Sequence, residues 1–300
     1  MNKQIVLITG GKGLIGKELS KLLISKNFEV RILTRNPKAK NEFYWNPTKG
    51  EIDSKSVEKI DIIIHLAGAG IADKRWTKVR KKEILESRTL GIKLLYNEVI
   101  KQKIELKNFI SASGINYYGT KTTETIFNEN DDFGTDFVAK VTVEWEKQAD
   151  LFKKVCSVCK LRIGMVLSEK GGALSKIDKP IKYRFGASLG SGKQYIPWIE
   201  MEDLCNMFLF ALKSNLNGNY NAVGSTHINN KELTLKIAKR LNRKIWLPSV
   251  PKFILKLLLG ELSILVLEGS RASNKKIKQA GFQLINDDID KALDKIYLFS

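Results

Sequence analysis

The chain opens with an apolar run, Ile5-Val6-Leu7-Ile8, that passes into Gly10-Gly11-Lys12-Gly13-Leu14-Ile15-Gly16 and then into an amphipathic segment ending near Lys26. A short apolar run closed by glycine reads as a buried strand, and the periodic segment after it as a helix. A second strand, Glu29 to Leu33, completes a βαβ unit. Glycines at the strand-to-helix turn leave backbone N–H groups at the helix N-terminus unblocked by Cβ atoms, so a pyrophosphate can approach Gly10, Gly13, Leu14, Ile15 and Gly16. Glycine spacing alone is weak evidence. Its position between a strand and a helix, with a second strand following, is what points to a dinucleotide site.

The residues after the second strand bear on which dinucleotide. Where NAD is bound, an acidic side chain about 20 residues past the glycines holds the adenosine ribose hydroxyls, and a carboxylate there repels a 2′-phosphate. This chain has Thr34-Arg35-Asn36 instead. Arg35 offers a guanidinium fork to a phosphate, and Lys12 places a second positive charge in the glycine turn. NADP(H) is favoured over NAD(H). The alternative is that both are solvated surface residues of a lysine-rich chain.

The length of 300 residues accommodates a large α/β domain with a smaller companion, and 43% hydrophobic with 28% charged residues is ordinary for a globular chain. The formal charge of +19 raises the question of nucleic acid, but the 51 Lys and Arg are spread along the sequence rather than gathered in a tail or an aromatic-interleaved patch. The densest basic run, Lys74 to Lys82, reads as the polar face of a helix whose apolar positions are Val79, Ile84 and Leu85. Steering of anionic small molecules is the simpler consequence of the charge. An N-terminus that runs straight into a strand leaves no room for a targeting peptide, so a cytoplasmic location is expected. The longest apolar stretch, Phe253 to Leu267, is interrupted by Lys256, Gly260 and Glu261 and is too short to span a bilayer. It is expected to form two buried helices joined near Gly260, with a surface for a partner subunit, as in a homodimer, left open. Cys156 and Cys159 have C-x-x-C spacing, but at a strand start and without a second pair they read as core residues, not a metal or redox site.

Further strands are expected at Ile60 to Leu66, Lys107 to Ser113 and Val158 to Leu167, separated by helices at about Thr77 to Lys101 and Thr135 to Lys153. Such alternation builds a parallel sheet covered on both faces. Beyond Leu167, Gly171, Gly172, Gly186, Gly190 and Gly192 punctuate a partly basic connection, followed by Ile196-Pro197-Trp198 and a helix from about Glu202 to Lys213. From Asn229 onward the pattern is mostly helical, with Leu233, Ile237 and Leu241 at helical spacing, a short strand at Lys244 to Leu247, and a last helix ending near Leu298. The fold expected is a Rossmann-like, doubly wound parallel sheet with a smaller, mostly helical C-terminal lobe. Residues 1–167 form the dinucleotide domain, 197–224 return to it, and 168–196 with 225–300 form the lobe.

These pieces resemble an extended short-chain dehydrogenase/reductase, and more narrowly its atypical epimerase-like family with a C-terminal domain of unknown function. The resemblance rests on Ile8 to Gly16, Leu66-Ala67-Gly68, Ile71 to Trp76, Ser87-Arg88 with Gly91, Ser111-Ala112-Ser113, and Tyr117-Tyr118-Gly119. It continues through Arg162 to Leu167, Gly171 to Leu174, Leu189 to Gly192, Pro197-Trp198-Ile199, Leu267-Glu268-Gly269 and Gly281-Phe282, nearly the whole chain. It implies that Leu66, Ala67 and Gly68 line the adenosine side of the cofactor, with Ser111 and Ala112 also among the cofactor-binding residues. It further implies that Ser113 occupies the superfamily's catalytic serine position, where a hydroxyl can hydrogen-bond the reacting oxygen. Arg88 stands where related epimerases place an asparagine, to contact the cofactor or an anionic substrate.

One departure matters for function. The superfamily carries Tyr-x-x-x-Lys on the helix after the Ser113 strand, the tyrosine transferring the proton and the lysine supporting it. Here that region reads Phe137-Val138-Ala139-Lys140-Val141, with Lys140 out of register, and Glu200 follows Trp198-Ile199 where relatives place histidine. Tyr117 or Tyr118 is left as an alternative acid, with Tyr118 the candidate. Two readings follow: an NADP(H)-dependent, epimerase-like oxidoreductase acting on an unknown small molecule, or a catalytically silent NADP(H)-binding sensor or scaffold with a link to cell division.

Overall fold

Eight strands make up the central sheet of the computed structural model, which describes residues 3–298. They are β1 (Ile5–Thr9), β2 (Glu29–Thr34), β3 (Glu42–Asn46), β4 (Glu51–Ile52), β5 (Ile62–His65), β6 (Asn108–Gly114), β7 (Ser157–Ile163) and β8 (Gly218–Ala222). Their order across the sheet is β8-β7-β6-β5-β1-β2-β3-β4, and every pairing is parallel except that of β3 with β4. The chain runs outward from β1 through β2, then returns to β5 on the other side of β1. That reversal opens a crevice beyond the carboxyl ends of β1 and β5, the usual place for a ligand in a doubly wound sheet.

The sheet forms because its central strands are apolar on both faces. Val6, Leu7 and Ile8 of β1 and Ile63 and Ile64 of β5 are fully buried, as helices on both sides require. Helices α1 (Leu14–Ser25) and α5 (Met201–Lys213) pack together on one face, and α2 (Lys78–Lys101) and α3 (Phe137–Ala149) on the other. In α1 the buried positions are Gly16, Leu19, Ser20 and Leu23, one stripe at helical spacing. Each of the two leucines contributes about 1.5–3 kcal/mol by leaving water. Thr77 caps α2 and Asp136 caps α3 through hydrogen bonds to backbone N–H groups.

The remaining helices are α4 (Ala173–Lys182), α6 (Asn230–Arg240), α7 (Lys252–Leu259), α8 (Ile264–Leu267), α9 (Lys275–Gln279) and α10 (Ile289–Leu298). A second apolar cluster, built from Leu174, Ile181, Trp198, Leu233, Ile237 and Leu293, joins α4, α6 and α10. Asn229 and Glu232 form a reciprocal capping box that starts α6.

Several expectations need correction. The hairpin β3–β4 was not anticipated, since its residues carry no clean alternation. The glycine-rich connection contains α4, whose Leu174, Ile177 and Ile181 face the second cluster despite an internal Pro180. The run at Val158 to Leu167 is two strands, broken at Gly164, where a Cβ would lie 2.6 Å from the Pro197 carbonyl oxygen. The segment from Lys244 to Leu247 is irregular, with no neighbouring strand; Trp246 instead donates to the Arg184 carbonyl at 2.9 Å. The basic run at Lys74 joins α2 only from Lys78, and Val79 is 79% exposed rather than apolar-facing. The Phe253 to Leu267 stretch does divide at Gly260, but α7 buries only Leu255, while Phe253, Leu257 and Leu258 face solvent.

Candidate nucleotide-binding site

The turn between β1 and α1 is shaped by its glycines. Gly10 has φ +69, and a Cβ on it would lie 2.9 Å from the Leu66 and Ala67 backbone, so only glycine permits the close approach of this turn to the end of β5. Gly16 likewise leaves no room for a Cβ against the Gly10 carbonyl. Gly13 is less constrained: its Cβ would meet only the Gly10 oxygen, at 3.2 Å, a tight contact that a shift of a few tenths of an ångström in the turn would relieve. Gly13 is also the N-cap of α1, and it makes no side-chain cap bond. The N–H groups of Leu14, Ile15 and Gly16 therefore have neither an intrahelical acceptor nor a capping oxygen, and no acidic residue occupies the first turn.

A cavity of about 560 Å³ lies against this turn. Gly10, Lys12, Gly13, Thr34, Arg35, Ala67 and Gly68 line it, so these sequence-derived candidates come together. Sequence reasoning missed its other walls: the β3–β4 turn, with Trp45, Asn46, Pro47 and Thr48, and the α2 side, with Val79, Lys82, Glu83, Glu86 and Ser87. Lys12 is not free. Its ammonium pairs with Glu42 at 2.7 Å and donates to the Asn36 carbonyl at 2.9 Å. Lys12, with the backbone N–H of Lys38, holds the Glu42 carboxyl below its usual pKa. Arg35 has no ion pair among the described residues.

The segment Leu66-Ala67-Gly68 is fixed from beneath; Ala67 and Gly68 line the cavity, while Leu66 packs against the core and does not. The Thr9 hydroxyl accepts from the N–H groups of Leu66 and Ala67, at 3.2 and 3.1 Å, and lies 2.9 Å from His65 Nδ1. Burial takes the His65 pKa down to about 3, so this imidazole stays neutral and accepts the Thr9 proton. Under Gly68 lies Arg88, 6% exposed, donating to the Ile84 carbonyl at 2.8 Å and stacked 5.1 Å from the Trp145 ring. A Cβ on Gly68 would sit 3.1 Å from the guanidinium carbon. Arg88 Nε is buried without a partner, and burial lowers the group's pKa to about 10, so it remains a cation. Open N–H groups at a helix N-terminus suit a pyrophosphate, whereas Arg88 lies behind Gly68 and does not itself line the cavity.

The residues assigned to chemistry lie elsewhere. Ser113, near the end of β6 and 4% exposed, donates from Oγ to Glu146 Oε1 at 2.6 Å. Arg162 grips the same carboxylate from Nε at 2.8 Å and Nη2 at 3.0 Å, and its Nη1 donates to the Tyr118 hydroxyl at 2.9 Å. Tyr118 in turn donates to Asn221 Oδ1 at 2.8 Å, and burial pushes its hydroxyl up to about 12. Neither Ser113 nor Tyr118 lines the cavity, and Ser111 and Ala112 are buried within β6. Lys140 is exposed on the outer side of α3, whereas Val138 and Thr142 face inward. Glu200 caps α5, accepting from the Glu202 N–H at 2.7 Å, and pairs with Lys295. Cys156 and Cys159 are free thiols at the start of β7, both pushed up to about 12 by burial. A second cavity, also about 560 Å³, lies between the start of α3 and α7–α8, with Trp76, Phe137 and Val138 on one side and Lys252, Lys256 and Ile264 on the other.

Sheet order, switch-point crevice and glycine turn define a doubly wound, Rossmann-like α/β protein. Residues 6–223 match the NAD dependent epimerase/dehydratase family, and residues 250–296 match a domain of unknown function, DUF1731. The chain is 33% identical to an epimerase family protein of Mycobacterium leprae over 97% of its own length and 95% of the relative's. It is 32% identical to the epimerase family protein YfhF of Bacillus subtilis, over 97% of each. Human epimerase family protein SDR39U1, solved with NADPH, superposes with a TM-score of 0.90 at 27% identity, covering 98% of this chain and 99% of that one. The chain belongs to the NAD dependent epimerase/dehydratase family, with the DUF1731 domain at its C-terminal end.

Proposed function

We propose that this protein binds NADP(H) in the switch-point cavity and acts as an epimerase-like oxidoreductase on a small molecule. The observation that carries the cofactor choice is Arg35. It stands where a carboxylate would select NAD, lines the cavity, and has no ion pair among the described residues. The NADPH in the human SDR39U1 structure supports the same choice. The uncapped N–H groups of Leu14, Ile15 and Gly16 would take the pyrophosphate, with Arg88 beneath Gly68 adding charge. Bound there, NADP(H) would supply hydride-transfer chemistry.

The residue to which this reading assigns the reacting oxygen is Ser113, which is buried and lies outside the lining of the cofactor cavity. Its proton is directed at Glu146, a carboxylate held by Arg162, so in this geometry Oγ can accept a hydrogen bond from a substrate hydroxyl. Polarising a carbonyl would require the hydroxyl proton to turn away from Glu146. Titration of NADPH and NADH by fluorescence, followed by single-turnover assays on a panel of alcohols and carbonyls, tests both parts. Comparable affinities for the two cofactors would remove the first.

The second reading, a silent NADP(H)-binding sensor or scaffold, draws support from one feature. The hydroxyls of Ser113 and Tyr118 are both engaged in buried hydrogen bonds, and Lys140 faces solvent. Absence of turnover with every substrate, alongside tight NADPH binding, would favour it.

A further inference from the structure

Exposed apolar side chains gather in two neighbouring parts of the C-terminal half. After α4 come Tyr183 and Phe185, 73% and 68% exposed, beside Trp246 at 65%. These segments are tied together: Trp246 Nε1 donates to the Arg184 carbonyl at 2.9 Å and Arg243 to the Lys182 carbonyl at 3.3 Å. Val250, a few residues on, bridges to Leu189, and α7 follows at once with Phe253, Leu257 and Leu258 at 70%, 74% and 62% exposure. Large apolar groups left in water this way mark a surface that meets something else.

Charge decides what that something is. Lys182, Arg184, Arg243, Lys244, Lys252 and Lys256 are all exposed among these apolar groups, and residues 179–186, 239–247 and 252–259 contain no Asp or Glu. Lys182 pairs with Asp178 at 2.9 Å and Lys252 lies 3.9 Å from Glu268, but Arg184, Arg243, Lys244 and Lys256 have no ion pair among the described residues. A second copy of this face would bring like charges together, which opposes a symmetric dimer through it. Trp, Tyr and Phe interleaved with Lys and Arg suit the headgroup level of a bilayer, where aromatic rings and short apolar helix faces sit and cations meet anionic lipid.

We propose that the face formed by α7 and the segments around Phe185 and Trp246 docks peripherally on anionic lipid bilayers. No helix among the described residues is long and apolar enough to cross a membrane, so the contact is with the interface. The second cavity, which Lys252 and Lys256 of α7 line together with Asp136, Glu261 and Glu268, then lies next to that contact.

The test uses the full chain and vesicles of phosphatidylcholine alone or mixed equally with phosphatidylglycerol. Trp246 is a built-in reporter, because the other four tryptophans, Trp45, Trp76, Trp145 and Trp198, are at most 9% exposed. The protein is expected to sediment with the anionic vesicles only. Its emission should shift to shorter wavelength and be quenched by brominated lipid, and Trp246→Phe should lose that signal while still binding. Phe253→Ser/Leu257→Ser/Leu258→Ser keeps the net charge and should lower vesicle affinity by about tenfold or more. Each of Arg184→Gln, Arg243→Gln and Lys244→Gln should cost about fivefold. Circular dichroism confirms that these surface variants fold. Equal binding to neutral vesicles overturns the proposal. So does binding indifferent to the serine variant, which would reflect net charge alone, or an emission that brominated lipid does not quench. A dimer or acidic-protein complex disrupted by the same variant, without vesicle binding, also overturns it.

Discussion

Arg35→Ala is expected to cost NADPH affinity and leave NADH affinity nearly unchanged. The guanidinium lines the cavity at the end of β2, with no ion pair among the described residues to hold it elsewhere. A hydrogen bond to a charged group is worth about 1.5–3 kcal/mol, but Arg35 is exposed and screened by salt, so the lower end applies. That corresponds to about a tenfold loss for NADPH. Lys12→Ala should cost less, because the Lys12 ammonium already pairs with Glu42 at 2.7 Å and must share itself with an incoming phosphate. Arg35→Asp should go further and reverse the preference, since a carboxylate repels the 2′-phosphate and can hold the ribose hydroxyls. Fluorescence titration of both cofactors at two ionic strengths reads each effect, and the Arg35 loss should shrink at the higher one. Equal losses for NADPH and NADH in Arg35→Ala would show that Arg35 acts on something common to both cofactors and refute the reasoning.

Gly13→Val should abolish binding of either cofactor while circular dichroism stays native, because its Cβ meets only the Gly10 oxygen and a branched side chain at the N-cap takes space the pyrophosphate needs; unchanged calorimetric affinity would displace the phosphate site. Any turnover should fall strongly in Ser113→Ala and barely in Lys140→Ala, since Lys140 faces solvent; a large Lys140 effect without loss of NADPH binding would contradict the observed helix register. Glu146→Ala strands the Arg162 guanidinium and should cost about 3–5 kcal/mol by chemical denaturation, whereas replacing both partners with apolar residues should cost less. Burial pushes Cys156, Cys159, Cys205 and Tyr118 up to about 12, so the unfolded chain gives up these protons first and stability should fall between about pH 9 and 12. Denaturant midpoints across that range and slow native alkylation of the thiols check it.

The cofactor side of the molecule was readable because its demands are local. A strand, a glycine turn and a helix lie consecutively, and the geometry of Gly10 and Gly16 shows why no other residue serves. The β3–β4 wall was not readable for the opposite reason. Trp45 is buried because Gly91, on α2, clears space for it: a Cβ there would lie 2.8 Å from the indole. That partnership spans distant parts of the chain and leaves no period in either segment. The same holds for Thr9, whose hydroxyl organises Leu66 and Ala67 from across the sheet. In α7 the apolar residues were expected to be buried, yet hydrophobicity does not distinguish a core helix from one that meets a partner surface.

The network around Arg162 shows what holds α3 against the sheet. Ser113, Glu146, Arg162, Tyr118 and Asn221 form one continuous hydrogen-bonded chain linking β6, α3, β7 and β8. Arg162 is fully buried; burial would lower its pKa, but the Glu146 carboxylate outweighs that and raises it. Such a network fixes where α3 docks on the sheet, independently of what the first turns of α3 carry. Phe137 and Val138 can therefore present an apolar wall to the second cavity while the helix keeps its place. Burial pushes the Tyr118 hydroxyl up to about 12, so at neutral pH it stays protonated and is a poor base, while its own proton is already given to Asn221.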